Sequence, residues 1–141
     1  MILLGTNVLS ECMRPAPAPV VIDWLDAQDP QQVWICAISR AEIELGIALL
    51  PEGKRKRGLR QAATTLFTLD FPGRCLTFDE SAASAYAHLV AHRTHLGQPI
   101  SVEDAQIAAI ALATGLTLAT RNTRDFVAID GLVIVNPWSG A

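Results

Sequence analysis

The chain has 141 residues, half of them hydrophobic, and a net charge of −3. That length predicts one domain, 1–141, with enough apolar content to bury a real core. The charge excludes a generally basic nucleic-acid binder, and the absence of any run of about 18 apolar residues excludes a membrane-spanning helix. Met1-Ile-Leu-Leu is too short for a signal peptide and no basic segment precedes it, so the expected location is cytoplasmic. The cysteines agree. There are three, an odd number, and Cys36 and Cys75 sit in apolar runs, as reduced buried thiols do. No Cys/His spacing suggests zinc. His88, His92 and His95 lie at helical spacing and read as a solvated or partly packed helix face.

Five short apolar runs predict strands: Ile2–Leu4, Val33–Ile38, Cys75–Phe78, Leu116–Ala119 and Leu132–Val135. They are continuous rather than alternating, as buried parallel strands are. Pro15 to Pro19 is a local breaker. Helical patterns lie between the strands, over Val20–Gln28, Ser39–Leu50, Arg55–Leu69, Ser81–Leu96 and Val102–Ala113. Ile43, Ile47 and Leu50 mark one side of the second, and Gly115 stops the last. No repeat or low-complexity segment interrupts this order. Alternating strands and helices predict a parallel sheet covered on both faces, with functional groups gathered at the carboxyl ends of the strands.

That rule selects Gly5-Thr6-Asn7, Ser39–Glu42, Asp79-Glu80 and Thr120–Asp125, joined by Asp104 if its helix starts at the same edge. Each acid has a plain structural reading. Ser39 followed three residues later by Glu42 has the spacing of a capping box, and Ser101–Asp104 is similar. Asp104 is also favoured at a helix N-terminus by the macrodipole. Together, Glu42, Asp104 and Asp125 suit a different reading. Mg²⁺ takes oxygen ligands, often one or two carboxylates plus waters, and clustered carboxylates repel one another unless a cation neutralises them. Thr120-Arg121-Asn122-Thr123-Arg124-Asp125-Phe126 adds neutral oxygens and two arginines for phosphate, although an Asx-type turn accounts for it equally. Lys54, Arg55, Lys56, Arg57 and Arg60 form a second basic cluster, either a phosphate-tracking patch or an exposed helix start.

Four segments in order, Met1–Glu11, Ser39–Gly46, Asp104–Ala111 and Ala119–Phe126, resemble the PIN-domain ribonucleases, in particular VapC/FitB-type toxins of type II toxin–antitoxin pairs. Each motif alone is weak; the ordered set spans the chain. The resemblance implies a three-layer α/β/α domain with a central, mainly parallel five-stranded sheet. It implies RNA cleavage with Mg²⁺ or Mn²⁺ held by acidic side chains. The family's second acid falls on Glu42 and its third on Asp104. A final position, acidic in some members, falls on Asn122, with Asp125 next in the motif, and Thr6 matches a hydroxyl beside the metal. Arg121, Arg124, Lys54, Arg55 and Arg57 are the candidate RNA contacts. The resemblance further implies a homodimer, a VapB-type antitoxin partner, and promoter DNA bound only through that antitoxin.

One position departs from the family pattern. Its first metal-binding aspartate falls on Gly5. Glycine removes a ligand and a charge and is expected to loosen the strand end. Metal affinity and cleavage are therefore expected to be weak, with water able to fill the vacant position and leave some Mn²⁺-dependent activity. Two readings follow from this. One is a ribonuclease impaired at Gly5; the other is a non-catalytic module of the same fold that titrates the antitoxin. A phosphorylation receiver is a third doubly wound candidate. It would need a phospho-acceptor such as Asp79 and an acidic pair after the first strand, and that pair is absent.

Overall fold

The computed structural model describes residues 1–139. Five strands form one sheet: β1 (Ile2–Leu4), β2 (Val33–Cys36), β3 (Cys75–Leu76), β4 (Thr117–Ala119) and β5 (Ile134–Val135). Their order is β3-β2-β1-β4-β5, and every pairing is parallel. The chain builds β1, β2 and β3 towards one edge, then returns to lay β4 on the other side of β1. The strand order therefore reverses at β1, and a crevice opens at the carboxyl ends there.

Six helices cover the sheet: α1 (Thr6–Cys12), α2 (Pro19–Asp26), α3 (Ala37–Ala48), α4 (Lys54–Thr65), α5 (Glu80–His95) and α6 (Val102–Thr114). Successive strand residues point to opposite faces, and the core divides accordingly. Leu3 and Leu118 pack with Leu89, Ala108 and Ile110 of α5 and α6. Leu4, Val33, Ile35 and Ala119 pack with Val8, Val21, Ile43 and Ala63 of α1 to α4. This is the three-layer α/β/α architecture that the sequence predicts.

Several sequence expectations are corrected. The helix α1 was unforeseen, because Thr6–Cys12 is too short and too polar in its first turn to show a periodic stripe. The second, third and fifth strands are shorter than their apolar runs, since Ala37-Ile38 already belongs to α3 and Thr77-Phe78 and Leu132-Val133 are connections. The spacing Ser39–Glu42 is not a capping box. Cys36 occupies the N-cap of α3, and Ser39 is a fully buried residue inside the first turn. Ser101 does cap α6, accepting from the Asp104 amide at 3.2 Å, and Gly115 ends that helix in the left-handed region at φ 72°. All three cysteines are free thiols, but Cys75 is exposed rather than buried, because β3 is an edge strand. Burial pushes the Cys12 thiol up to about 11, so it stays protonated. Among the described residues, no helix is long and apolar enough to cross a membrane.

One buried cation secures the segment after β4. Arg93, on α5, is 5 % exposed and donates to the carbonyls of Gln98 (2.7 Å), Asp125 (3.0 Å) and Val127 (2.7 Å). Two of those carbonyls belong to the 3₁₀ turn Thr123–Phe126 and its exit. Hydrogen bonds to a charged donor contribute more than neutral ones, and removing the donor leaves buried acceptors unpaired. Arg93→Ala is expected to cost about 2–3 kcal/mol of unfolding free energy, read as a lower urea midpoint. An unchanged midpoint would mean that the turn holds itself.

Candidate active site

The crevice at the strand reversal is a cleft of about 490 Å³ lined by Gly5, Thr6, Glu42, Asp104, Thr120 and Asn122, among others. Each element delivers its residue for a local reason. Gly5 ends β1 and begins α1, Glu42 lies one turn into α3 after β2, and Asp104 sits in the first turn of α6 beside its Ser101 cap. Thr120 follows β4. The sequence-predicted positions Gly5, Thr6, Glu42, Asp104, Asn122 and Arg121 thus converge.

Thr6 is the hinge of the polar network. Its Oγ1 lies 2.8 Å from Glu42 Oε1 and 2.9 Å from Ser39 Oγ. A threonine hydroxyl has one proton. Donating it to the carboxylate is the stronger bond, which leaves Thr6 to accept from the buried Ser39 hydroxyl. Glu42 is therefore oriented by a chain of hydroxyls rather than by its own helix cap. On the other wall, Asn7 Nδ2 donates to Thr120 Oγ1 at 3.3 Å, and the Asn122 amide donates to the same hydroxyl at 3.1 Å. Asp104 is half-buried. Loss of hydration raises its pKa above the ordinary carboxylate range, and the nearby Asp125 and Glu103 charges push the same way against the Ser101 hydrogen bond. A cation in the cleft would reverse that shift.

Other predicted residues fall outside. Asp125 is exposed, with its carbonyl held by Arg93, and it reaches Asp104 through its charge rather than by lining the cleft. Arg124 is exposed and also off the lining. Asp79 caps α5, accepting from the Ala82 amide at 2.9 Å. The basic cluster divides. Lys56 is buried and committed to Glu52 and the Ala48 carbonyl. Arg55 lines a groove that shares Thr6 and Glu42 with the acid cleft, and Lys54 and Arg55 line a further groove with Ser10 and Arg14. Arg57 is exposed on α4 but lines neither. His88 and His92 face a separate groove beside Asp130.

Several residues at the cleft escaped the sequence reading. Glu11 is 6 % exposed, accepts from the Ala18 amide at 2.9 Å and pairs with Arg14 at 3.2 Å. The Ala18 hydrogen bond holds its carboxyl below the usual range, aided by Arg14 against the cost of burial. Its burial was invisible because α1 was. Trp138 lines the cleft from a 3₁₀ turn near the chain end, and no periodic signal marks so short a turn.

Gly5 itself is not loose. Its amide donates to the Ala119 carbonyl at 2.8 Å, and a Cβ built on it would lie 2.9 Å from that same oxygen. The strand end at Gly5 is thus paired to β4, whatever freedom glycine gives its backbone. Its missing side chain lets β4 close tightly on β1. Among the described residues, no three His, Cys, Asp or Glu side chains gather closely enough to hold a metal ion. Two carboxylates, Glu42 and Asp104, nevertheless share the cleft with the Thr6, Thr120 and Asn122 oxygens. This donor set fits a hydrated hard cation with few protein ligands.

A parallel sheet whose switch-point cleft joins acids from α3 and α6 to a Thr-Asn pair after β1 defines a class. The chain belongs to the PIN-domain family, whose model matches residues 2–132. Within it, relatives align along nearly the whole chain. The plasmid stability protein StbB of Pseudomonas syringae pv. tomato is 46% identical over 138 residues, covering 98% of this chain and 99% of its own length. Toxin FitB of Neisseria gonorrhoeae is 43% identical with the same coverage. The VapC ribonuclease Y4jK of Sinorhizobium fredii is 40% identical over the full length of both. Among solved structures, FitAB bound to an IR36 DNA fragment superposes with a TM-score of 0.89 at 42% identity, covering 98% of this chain and 96% of that one.

Gly5→Ala tests the close approach. Its φ of −71° suits alanine, and such a change ordinarily stabilises by about 0.4–1 kcal/mol. Here the Cβ must displace a backbone carbonyl, so a loss of about 1 kcal/mol or more is expected on urea unfolding. A gain in stability would contradict the geometry.

Proposed function

We propose that this protein is the toxin of a type II toxin–antitoxin pair, built as a divalent-metal-dependent endoribonuclease and impaired by Gly5. The observation that carries this reading is the convergence of Glu42 and Asp104 on one cleft with the Thr6 hydroxyl locked to Glu42 at 2.8 Å, beside a first position that has no side chain. The relatives support it by name, through a FitB toxin and a VapC ribonuclease at 40% identity or more.

Glu42 and Asp104 would hold Mg²⁺ or Mn²⁺, with Asn122 at the rim and Asp125 adding negative charge from outside. When bound, such a cation lowers the pKa of a coordinated water and shields charge developing on a phosphodiester. The remaining work falls to the chain. Thr6 fixes the Glu42 carboxylate in one orientation, so that the ligand needs no reorganisation. Asn7, Thr120 and the Asn122 amide hold the opposite wall. Arg121 and Arg14 place positive charge at the mouth for the phosphate backbone, and Lys54 and Arg55 extend it along the adjoining grooves. Gly5 supplies neither ligand nor charge, so two carboxylates carry a site that has a third in the family pattern, and cation affinity is lower for it.

The partner surfaces are proposed on the same grounds. FitAB is solved as a complex on DNA, and a cognate VapB-type antitoxin is the expected partner here, with promoter DNA contacted through it. Leu45 on α3 and Leu49 at its C-cap, 60 % and 76 % exposed and one turn apart, offer apolar area to such a partner or to a second copy in a homodimer. Gly5 also favours a second reading, in which the chain keeps these surfaces and acts by sequestering antitoxin without cutting RNA.

Cleavage of total cellular RNA by the parent chain and Gly5→Asp, side by side with Mg²⁺ and Mn²⁺, tests the proposal. The variant is expected to cut at least about 100-fold faster than the parent, which is the scale of losing one transition-state electrostatic group, and chelation should abolish the activity. The added aspartate must first push back the Ala119 carbonyl, so a folded variant is confirmed by its unfolding midpoint. A folded, inert Gly5→Asp chain that still co-purifies with its antitoxin would instead establish the sequestering module.

A further inference from the structure

Among the described residues, two arginines sit over aromatic rings, and they differ in what else holds them. Arg40 lies 4.9 Å from the Phe67 centroid and is also bonded to Glu44 at 3.2 Å, so its charge is matched within α3. Arg121 lies 5.1 Å from the Trp138 centroid and forms no salt bridge among the described residues, its charge acting on Glu11 only at longer range. Its guanidinium is exposed, and Arg121, Trp138, Glu42 and Asp104 line one cleft. Both members of the pair are anchored through their backbone amides. The Arg121 amide donates to Asn7 Oδ1 at 3.4 Å, and Trp138 is set by Asn136, whose Oδ1 accepts from the Trp138 amide at 2.9 Å. Trp138 is half-buried and packs against the core below α1 to α4. The ring is thus partly covered by the core, and the exposed Arg121 guanidinium lies over it on the cleft side.

A planar cation over an indole is weakly biased towards that position at an exposed site, which favours its staying at the cleft. Unpaired bases stack on aromatic rings and on guanidinium planes, whereas bases within a duplex have their faces occupied. We propose that Arg121, braced by Trp138, is a stacking platform for one unpaired base of the RNA at the mouth of the acid-lined cleft. The inference rests on the RNA-cleaving reading above. It changes the role of Arg121 from a point charge for phosphate to a flat surface for a base, and it adds Trp138 as a positioning residue. A base seated there would place its neighbouring phosphodiester towards Glu42 and Asp104.

The experiment compares binding of three fluorescent probes to the parent chain, Arg121→Lys, Arg121→Ala and Trp138→Phe in Mg²⁺ buffer. The probes are a random-sequence single-stranded RNA, a duplex of equal length and an abasic ribose-phosphate strand. The platform predicts that the parent prefers the single strand to both other probes. It also predicts that Arg121→Lys, which keeps the charge, loses on the order of ten-fold in single-strand affinity, nearly as much as Arg121→Ala, with little change on the abasic strand. Trp138→Phe, which keeps a smaller ring, should fall between. Single-strand binding by Arg121→Lys equal to that of the parent overturns the platform and returns Arg121 to phosphate contact. So does intact RNA binding by all variants combined with lost antitoxin co-purification, which would assign the stack to the protein partner. A parent chain that binds none of the probes overturns the RNA reading itself and the platform with it.

Discussion

The hydrogen bond from the Gly5 amide to the Ala119 carbonyl is the closure on which the cleft depends. It continues the β1–β4 ladder one residue beyond the strands, at the point where the sheet reverses its order. From that point the chain diverges into α1 on one side and the Thr120–Asn122 wall on the other. Asn7 and Thr120 then tie the two walls together, and Thr6 reaches across to Glu42 and Ser39. A residue with a side chain would have to widen this closure, since its Cβ would press on a backbone oxygen rather than on a flexible side chain. Gly5 thus has two aspects that must be kept apart: it carries no side chain that could ligate a cation, and it lets the strands approach. A substitution there alters both.

The electrostatics of the cleft follow from this arrangement. Asp104 is disfavoured as an anion by burial and by Asp125 and Glu103, and among the described residues no cation is bonded to it. Glu11, a few residues away along the lining, is held as an anion by the Ala18 amide and Arg14 and belongs to the framework of α1 rather than to the chemistry. The protein leaves one buried acid, Glu11, satisfied and a half-buried one, Asp104, without a positive partner among the described residues. That contrast distinguishes a structural carboxylate from one placed for an external cation.

Much of this was legible in the sequence, and the reasons differ by residue. Continuous apolar runs fixed the strands well because buried parallel strands have little else to encode, and Gly115 and Ser101 marked the bounds of α6 by their own chemistry. The ends of β2 and β3 were misjudged because an apolar run does not reveal where the backbone turns into a helix. Glu42 was found as an acid but given the wrong anchor. Its orienting partner, Thr6, is 36 residues away, and a local spacing with Ser39 imitated a cap. Asp125 and Arg124 share the motif of Asn122, yet the 3₁₀ turn that Arg93 secures directs them away from the cleft lining. Arg93 and Trp138 carried no pattern at all. The role of each depends on a contact with a segment remote in sequence or on a turn too short to have a period.

The central claim is that this cleft is a metal site lacking one ligand at Gly5. Calorimetric titration of Mn²⁺ into the parent chain, Gly5→Asp and Gly5→Asp with Glu42→Gln tests it without reference to any RNA. The account predicts that Gly5→Asp binds at least about ten-fold more tightly than the parent and that Glu42→Gln abolishes the gain. Equal Mn²⁺ affinity for the parent and a folded Gly5→Asp chain would contradict it.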